Sequence, residues 1–332
     1  TINTAVGTAC MAACTTGAYN DAFGWNALGA LTTGSSNSAF GNLALDSLTT
    51  SGSNVAFGQH AAGAATTGNN LVAIGTQALM ANTTASYNVA VGTYAGDALT
   101  TGDGNVVMGY NSGGTATTAT QCTLIGYEAG DVLTTGSYST CMGGSAGGAL
   151  TTGTDNPSIG YGALGNATTG NGNVGLGDIS RVTRIFDVTT ESDRLVCGHN
   201  NISNSYVKVD WTVTSDARDK TDVEPNPYGL DFVKDLKPVK FRWDERSRYE
   251  DNKSDGSKKA IKQNLGFLAQ DVVETEKKFG AKAKDLLIAD DEMEDNLKVK
   301  SASIIGALVN SVQELSSQVE DLKNEIKTLK GE

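Results

Sequence analysis

Glycine recurs at an interval of seventeen residues through the first half of the chain, and this period constrains the fold more than any other feature. The residue before each glycine is apolar, and a Thr-Thr pair follows eight residues after each of the first ten. The eleven glycines are Gly7, Gly24, Gly41, Gly58, Gly75, Gly92, Gly109, Gly126, Gly143, Gly160 and Gly177. A fixed period of this length indicates one structural coil per repeat, stacked on its neighbours.

The composition of the repeat favours strands over helices. Glycine at this density disfavours helix, and stretches such as NSAFG and NVAVG alternate like short strands with one buried face. Stacked strands lie about 4.8 Å apart. We therefore predict a mainly β shaft over residues 1–180, made of eleven 17-residue coils.

The core of one coil looks thin. Each coil offers one large apolar side chain and a few alanines, which is too little core for a lone chain. We therefore expect copies of the chain to pack around an axis. A column of small residues would permit close approach between chains; it consists of Ala5, Ala22, Ala39, Ala56, Ala73 and Ala90.

The stretches NSAFGNLAL and NVAVGTYAG resemble the N-x-A-x-G repeats in the heads of trimeric autotransporter adhesins and in many phage tail fibres. The resemblance implies that three chains form a trimeric β-roll or β-prism. The period here is longer than that of the usual adhesin repeat, and we expect no membrane anchor of the adhesin kind.

The position after each repeat glycine varies freely and is aromatic at Trp25, Tyr110, Tyr127 and Tyr161. Aromatic rings can stack on the faces of saccharides, so these four residues are candidate receptor or sugar contacts. The alternative is a solvated loop face or packing between chains.

Charge is distributed unevenly along the chain. Residues 1–180 hold eight acidic residues and no basic ones, and the formal net charge of the whole chain is −12. Nucleic acids and anionic membranes require clustered cations, so we expect neither as a partner. The acids of the shaft are scattered over different columns of the repeat, which argues against the convergent carboxylates of a polysaccharide-degrading tailspike.

The cysteines fit no zinc-binding spacing and mostly replace small residues of the repeat. We interpret all five as free, packed thiols, namely Cys10, Cys14, Cys122, Cys141 and Cys197. No metal and no cofactor are expected.

Residues 181–214 lose the repeat. RVTRIFDV and SYVKVDWTV alternate like strands on either side of the polar stretch GHNNISN. We predict a small β-domain here, forming a neck or a tip.

The sequence pattern of residues 215–332 predicts an α+β domain. NPYGLDFVKDLKP predicts a short helix with Asn226 as its cap and Pro227 in its first turn. VKFRW predicts a strand, and NLGFLAQDVVETEKKFG predicts a strand that leads into a helix ending at Gly280. DLLIADDEMEDNLKVK predicts a hairpin with acids at its turn.

The final segment, 303–330, is predicted to be a long helix, because apolar residues recur there at alternating spacings of three and four. This seam consists of Ile305, Leu308, Val312, Leu315, Val319, Leu322, Ile326 and Leu329. Ile or Val at one heptad position with Leu at the other favours two-stranded coiled coils. We nevertheless expect a three-stranded coiled coil, because both the repeats and the resemblance of this domain to a known family indicate a trimer.

SDARDK, GLDFVKDLKPVKFRW, LGFLAQDV and ALVNSVQELSSQVEDL, in this order, resemble the self-cleaving intramolecular chaperones of phage tail fibres and tailspikes, including those of endosialidases. The resemblance covers about residues 212–330. It implies that Ser215 is a nucleophile, that Lys220 is its general base, and that the bond between Thr214 and Ser215 is cut after folding.

The chemistry of such a pair is physically sound. A serine hydroxyl is a weak nucleophile at neutral pH unless a base lies within hydrogen-bond reach, and lysine can be that base if burial lowers its pKa. Attack on the preceding carbonyl is intramolecular, so an effective molarity of roughly 10⁵ M or more can replace a fuller active site. The alternative is a solvated, charged linker.

Together these features predict the distal part of a homotrimeric phage tail fibre, located in the virion. Its expected partners are a bacterial surface receptor (polysaccharide or lipopolysaccharide) and other tail proteins, joined through an N-terminal part that precedes Thr1. The alternatives are a polysaccharide-degrading tailspike and a bacterial trimeric adhesin.

Overall fold

The structure is a computed structural model that describes residues 2–177, 188–198, 208, 213–244, 249–251, 253–283, 285–290 and 297–330. The chain divides into two units, Thr1–Tyr206 and Val207–Glu332. Much of the predicted neck, at 181–187, 199–207 and 209–212, lies outside the described residues, as does the predicted hairpin turn at 291–296.

The first unit is a β-solenoid in which each coil contributes one short strand to a single parallel sheet. The strands are β1 (Thr4–Val6), β2 (Asp21–Phe23), β3 (Ser38–Phe40), β4 (Val55–Phe57), β5 (Val72–Ile74), β6 (Val89–Val91), β7 (Val106–Met108), β8 (Thr123–Ile125), β9 (Thr140–Met142), β10 (Ser158–Ile159), β11 (Val174–Leu176) and β12 (Leu195–Cys197). The register pairs equivalent residues of successive coils, such as Ala22 with Ala39. The prediction of stacked 17-residue β-coils is confirmed.

The ladder continues beyond the eleven predicted coils. In β12, Leu195 pairs with Val174, a separation of 195 − 174 = 21 residues, so this coil is four residues longer than the others. Part of the segment predicted as a neck therefore continues the solenoid.

The repeat glycine is required where each strand turns. Gly41 has a φ of +147°, and a Cβ there would lie 2.3 Å from the carbonyl oxygen of Gly58 in the next coil. Any other residue would meet both a strained backbone and a neighbouring chain segment. This steric limit explains the strict seventeen-residue recurrence of glycine.

The interior of the coil is lined by alanine and leucine. The central residue of β2 to β6 is a fully buried alanine, such as Ala39, and two leucines that follow β3, Leu45 and Leu48, are fully buried within the same chain. The prediction of one large apolar side chain per coil is therefore wrong. All members of the predicted alanine column except the exposed Ala5 pack inside the coil, so these alanines do not mediate approach between chains.

A ladder of buried asparagines joins successive coils. Asn37 donates from Nδ2 to Asn20 Oδ1 and to the carbonyl oxygen of Ser51, both at 3.0 Å. Its own Oδ1 accepts from the backbone N–H of Asn54 at 3.1 Å and from Asn54 Nδ2 at 3.0 Å. Since both polar atoms of the Asn37 side chain are paired, this residue satisfies backbone groups of Ser51 and Asn54 that would otherwise be buried without partners.

The outer sheet face carries the large apolar residues. We use this name for the outward-pointing residues that flank the buried residue of β4 to β7: Val55, Phe57, Val72, Ile74, Val89, Val91, Val106 and Met108. Phe57 is 59% exposed. Farther along the same column Phe23 and Phe40 stack with ring centroids 4.7 Å apart.

The second unit is an α+β domain. Its elements are a 3₁₀ turn (Ala217–Asp219), α1 (Leu230–Asp235), β13 (Pro238–Phe241), β14 (Asn264–Phe267), α2 (Ala269–Lys278), β15 (Ala289–Asp290), β16 (Lys298–Val299) and α3 (Ser301–Lys330). β13 pairs antiparallel with β14, and β15 pairs antiparallel with β16. The core includes Tyr228, Phe232, Val272, Ile288 and Ile304.

The start of α1 differs from the prediction. The helix begins after Gly229, and Asn226 does not cap it. Instead, Asn226 Oδ1 accepts from the backbone N–H of Tyr228 at 3.0 Å, and Glu314 Oε2 accepts from the N–H of Leu230 at 2.7 Å. The cap therefore comes from α3, far along the sequence.

Candidate functional site

The structure brings Ser215 and Lys220 together. Lys220 Nζ donates to Ser215 Oγ across 2.6 Å. The intervening 3₁₀ turn, Ala217–Asp219, reverses the chain so that residues five apart meet. This distance is that of a nucleophile and a base in hydrogen-bond contact.

Asp216 and Arg218 hold this turn in place. Asp216 Oδ1 accepts from the backbone N–H of Arg218 at 2.9 Å, and the Arg218 guanidinium forms an ion pair with the same carboxylate at 2.6 Å. The guanidinium holds the pKa of Asp216 below its usual value, and the carboxylate raises the pKa of Arg218. The dyad is thus positioned by local contacts within six residues, 215–220.

In the single chain the site is open to solvent. Thr214, Ser215 and Lys220 are all exposed. A lysine becomes an effective base when burial disfavours its charged form. One chain therefore provides the contact between nucleophile and base, but it does not bury the base.

A buried carboxylate that the sequence did not reveal organises the core of this domain. Glu276 on α2 is fully buried and accepts hydrogen bonds from the backbone N–H groups of Leu287, Ile288 and Ala289 at 2.7–2.9 Å. It also accepts from the hydroxyl of Tyr228 at 3.0 Å, and burial together with this contact raises the pKa of Tyr228. The sequence signal was slight: Glu276 lies four residues after the buried Val272, on the same face of the helix.

Helix α3 presents two different faces. Ile304 and Ala307 are buried in the domain core, and Asn310 Nδ2 donates to the carbonyl oxygen of Tyr228 at 3.0 Å. The predicted seam lies on another face, and all eight of its residues, Ile305, Leu308, Val312, Leu315, Val319, Leu322, Ile326 and Leu329, are exposed in the single chain. The helix is therefore attached to its own domain on one side and carries uncovered apolar residues on the other.

The candidate sugar contacts Trp25, Tyr110, Tyr127 and Tyr161 are all exposed. Tyr110 and Tyr127 stack with ring centroids 5.6 Å apart and an interplanar angle of 14°. Trp25 lies five coils before Tyr110 in the same column. The four residues therefore share one column, and two of them are in ring contact.

The acids of the shaft are less scattered than predicted. Asp46, Asp97 and Asp131 share one column of the repeat, at separations of 97 − 46 = 51 and 131 − 97 = 34 residues, which are multiples of seventeen. Partial burial raises the pKa of all three carboxyls.

The cysteines carry no disulfide in the described residues: Cys122 and Cys141 are buried and Cys197 is exposed. Burial raises the pKa of the Cys141 thiol to about 11. Within the same described part of the chain, no helix has both the length and the apolar character needed to cross a membrane.

Residues 215–281 match the family described as chaperone of endosialidase. The C-terminal domain is therefore a chaperone domain of this type, and its match begins at the serine of the dyad. A repetitive β-solenoid precedes the matched residues in the chain, and this combination supports a protein similar to phage tail fibres and tailspikes. Neither the comparison with curated proteins nor that with solved structures found a match.

Proposed function

We propose that the chain is the distal part of a homotrimeric tail fibre in the virion, and that it attaches the phage to a polysaccharide or lipopolysaccharide of its host. In this proposal the C-terminal domain drives trimerisation and is then cut off before Ser215. Other tail proteins would be its further partners in the virion.

The outer sheet face is the observation that supports the trimer most. Parallel sheets occur almost entirely with both faces covered. Here the inner face is covered by the coil's own leucines, whereas the outer face leaves residues such as Phe57 and Ile74 in solvent. Two further copies of the same chain would cover this face with their own apolar residues. The coils are stacked with the same spacing in every copy, so the apolar residues of neighbouring chains would lie at the same levels.

The exposed seam of α3 supports the same assembly from the other domain. The last buried residue of the helix is Ser311, and six of the eight exposed seam residues, from Val312 to Leu329, follow it. A chaperone that aligns three such helices brings three chains together before the repeats pair.

Cleavage would follow assembly. Ser215 Oγ attacks the carbonyl carbon of Thr214 while Lys220 takes the hydroxyl proton. The C–N bond then breaks, the amine of Ser215 leaves with a proton, and water hydrolyses the ester that links the two parts. Because the single chain leaves Lys220 exposed, burial of this base by neighbouring chains would make the cut depend on the trimer.

Sedimentation of the full chain tests the proposal. The wild type should be a trimer, and Phe57→Asp should reduce the trimer fraction because it places a charge on the outer sheet face. Tyr138→Asp is the matched control: Tyr138 is also aromatic and 56% exposed, but it lies in a bend outside the strands. A monomeric wild type, or equal effects of the two variants, would contradict the proposed interface.

Deleting residues 215–332 from the gene tests the chaperone role. We expect insoluble, misassembled chains, whereas removal of the same residues after folding should leave a stable trimer. If the shortened product assembles normally, the C-terminal domain is not needed for trimerisation.

A further inference from the structure

Three tyrosines of adjacent coils form a continuous aromatic surface on the shaft, which we call the tyrosine platform: Tyr94, Tyr110 and Tyr127. Tyr94 meets Tyr110 edge to face at 5.9 Å, and Tyr110 stacks on Tyr127 at 5.6 Å. All three lie in the turns that follow their strands. The platform is therefore outside the outer sheet face proposed for contact between chains.

Backbone hydrogen bonds between successive coils fix the spacing of these tyrosines along the solenoid axis. The N–H of Glu128 donates to the carbonyl oxygen of Tyr110 at 3.0 Å, and the N–H of Ser145 donates to that of Tyr127 at 2.8 Å. Two ring side chains are thereby held one coil apart. A platform that is ordered before binding loses little conformational entropy when a ligand arrives.

Polar residues occupy turn positions next to the three tyrosines. The neighbouring turn positions hold Thr93, Asn111 and Ser145, and the carboxylate of Glu128 beside the phenol raises the pKa of Tyr127, which keeps that hydroxyl protonated. A sugar ring has an apolar face of C–H groups and an edge of hydroxyls. Aromatic rings beside amides, hydroxyls and a carboxylate match both parts.

Charge restricts the class of sugar. Residues 1–180 contain no lysine and no arginine, and Glu128 and Asp131 are close to the platform in sequence. The charged side chains of the shaft near the platform are carboxylates, so the shaft offers an anionic glycan no cation to pair its carboxylates or phosphates.

We infer that the tyrosine platform binds a neutral hexose chain of a bacterial surface polysaccharide. The rings of Tyr110 and Tyr127 stack on successive sugar faces, and Asn111 and Glu128 form hydrogen bonds with the hydroxyls. This inference rests on the proposed attachment role and names the ligand class for it.

Titration of the full chain with polymers tests the inference. The neutral probes are dextran, mannan and methyl-esterified polygalacturonate, and the anionic probe is polygalacturonate itself, which differs from its ester only in charge. We expect binding to at least one neutral probe. Tyr110→Ala and Tyr127→Ala should each weaken it by about tenfold or more, whereas Tyr138→Ala should leave it unchanged.

Three results would overturn the inference: no binding to any neutral probe, binding confined to polygalacturonate, or binding that both tyrosine variants retain. Because the rings are exposed, their removal should leave the melting temperature of the shaft unchanged, and this check separates lost contact from lost folding. Sedimentation of the same samples keeps the two proposals apart. A trimer without neutral-glycan binding refutes only the platform, whereas a monomer refutes the fibre.

Discussion

Replacing Asn82 with leucine should stabilise the shaft. Asn82 is fully buried, and among the described residues neither its Oδ1 nor its Nδ2 has a hydrogen-bond partner. It occupies the interior column that holds Leu48 and Leu99 in other coils. Leucine has the same number and branching of side-chain heavy atoms as asparagine, so Asn82→Leu removes two unpaired polar atoms with little change of shape.

The magnitude follows from those two atoms. Each buried, unpaired polar group costs about 1–3 kcal/mol, so the lower end gives a gain of about 2 kcal/mol in the free energy of unfolding. For a unit of 150–250 residues this corresponds to a rise of roughly 4–8 °C in melting temperature. Scanning calorimetry of the full chain at pH 7 measures it.

The matched control is the same substitution at Asn37. Asn37→Leu leaves the carbonyl oxygen of Ser51 and the backbone N–H of Asn54 without the partners they have in the ladder. The melting temperature should therefore fall by a similar amount. If Asn82→Leu lowers the melting temperature instead, its amide is paired in solution and the reasoning from unpaired atoms is refuted.

Three further outcomes are expected. Ser215→Ala and Lys220→Ala should each abolish cleavage before Ser215 without preventing trimer formation, and the same cut in Ser215→Ala, seen by intact-mass measurement, would exclude the dyad. Glu276→Gln should lower the yield of soluble trimer, because the glutamine amide cannot accept all four hydrogen bonds that the carboxylate accepts. The control Glu274→Gln, at an exposed position of the same helix, should leave the yield unchanged. Equal yields of the two variants would show that the buried carboxylate is dispensable. Asp97→Asn should raise the melting temperature at pH 7 by a few degrees at most. Burial raises the pKa of the Asp97 carboxyl, so the ionised carboxylate destabilises the folded shaft at pH 7. This destabilisation disappears as the pH falls through that pKa and the carboxyl becomes protonated. The difference in melting temperature between Asp97→Asn and the wild type should therefore become smaller at low pH.

The spacing of the repeat was enough to predict the register of the sheet. Each coil has one position with no room for a Cβ, and glycine must occupy it, so glycines seventeen residues apart are aligned in successive coils. It did not predict which side of the strand is inside. Alternation groups Ala39 with its equivalents and Phe40 with its own, but either face could have pointed inward. The choice depends on Leu45 and Leu48, which fill the interior from the opposite side of the coil and leave room only for alanine.

In the chaperone domain, contacts between residues far apart in the sequence could not be predicted, whereas contacts between near neighbours could. Ser215 and Lys220 are five residues apart, so a single turn is sufficient to join the pair that the family resemblance implied. The cap of α1 comes from Glu314, 84 residues after Leu230. Contacts of this kind depend on how helices pack, and no local pattern encodes them.

The repeat that makes the shaft easy to predict also makes it hard to assemble. If one chain of the proposed trimer slips by one coil, ten of the eleven predicted coils still face one another, since 11 − 1 = 10. Only about a tenth of the interface is lost, so the energy gap against misaligned states is small. Non-repeating residues must therefore set the register between chains. Helix α3 meets this need because one face is anchored in its own domain while the seam from Ile305 to Leu329 is exposed for partner chains. Once the coils have paired along their length, that guidance is no longer required, and a cut before Ser215 would leave the shaft held by its own contacts.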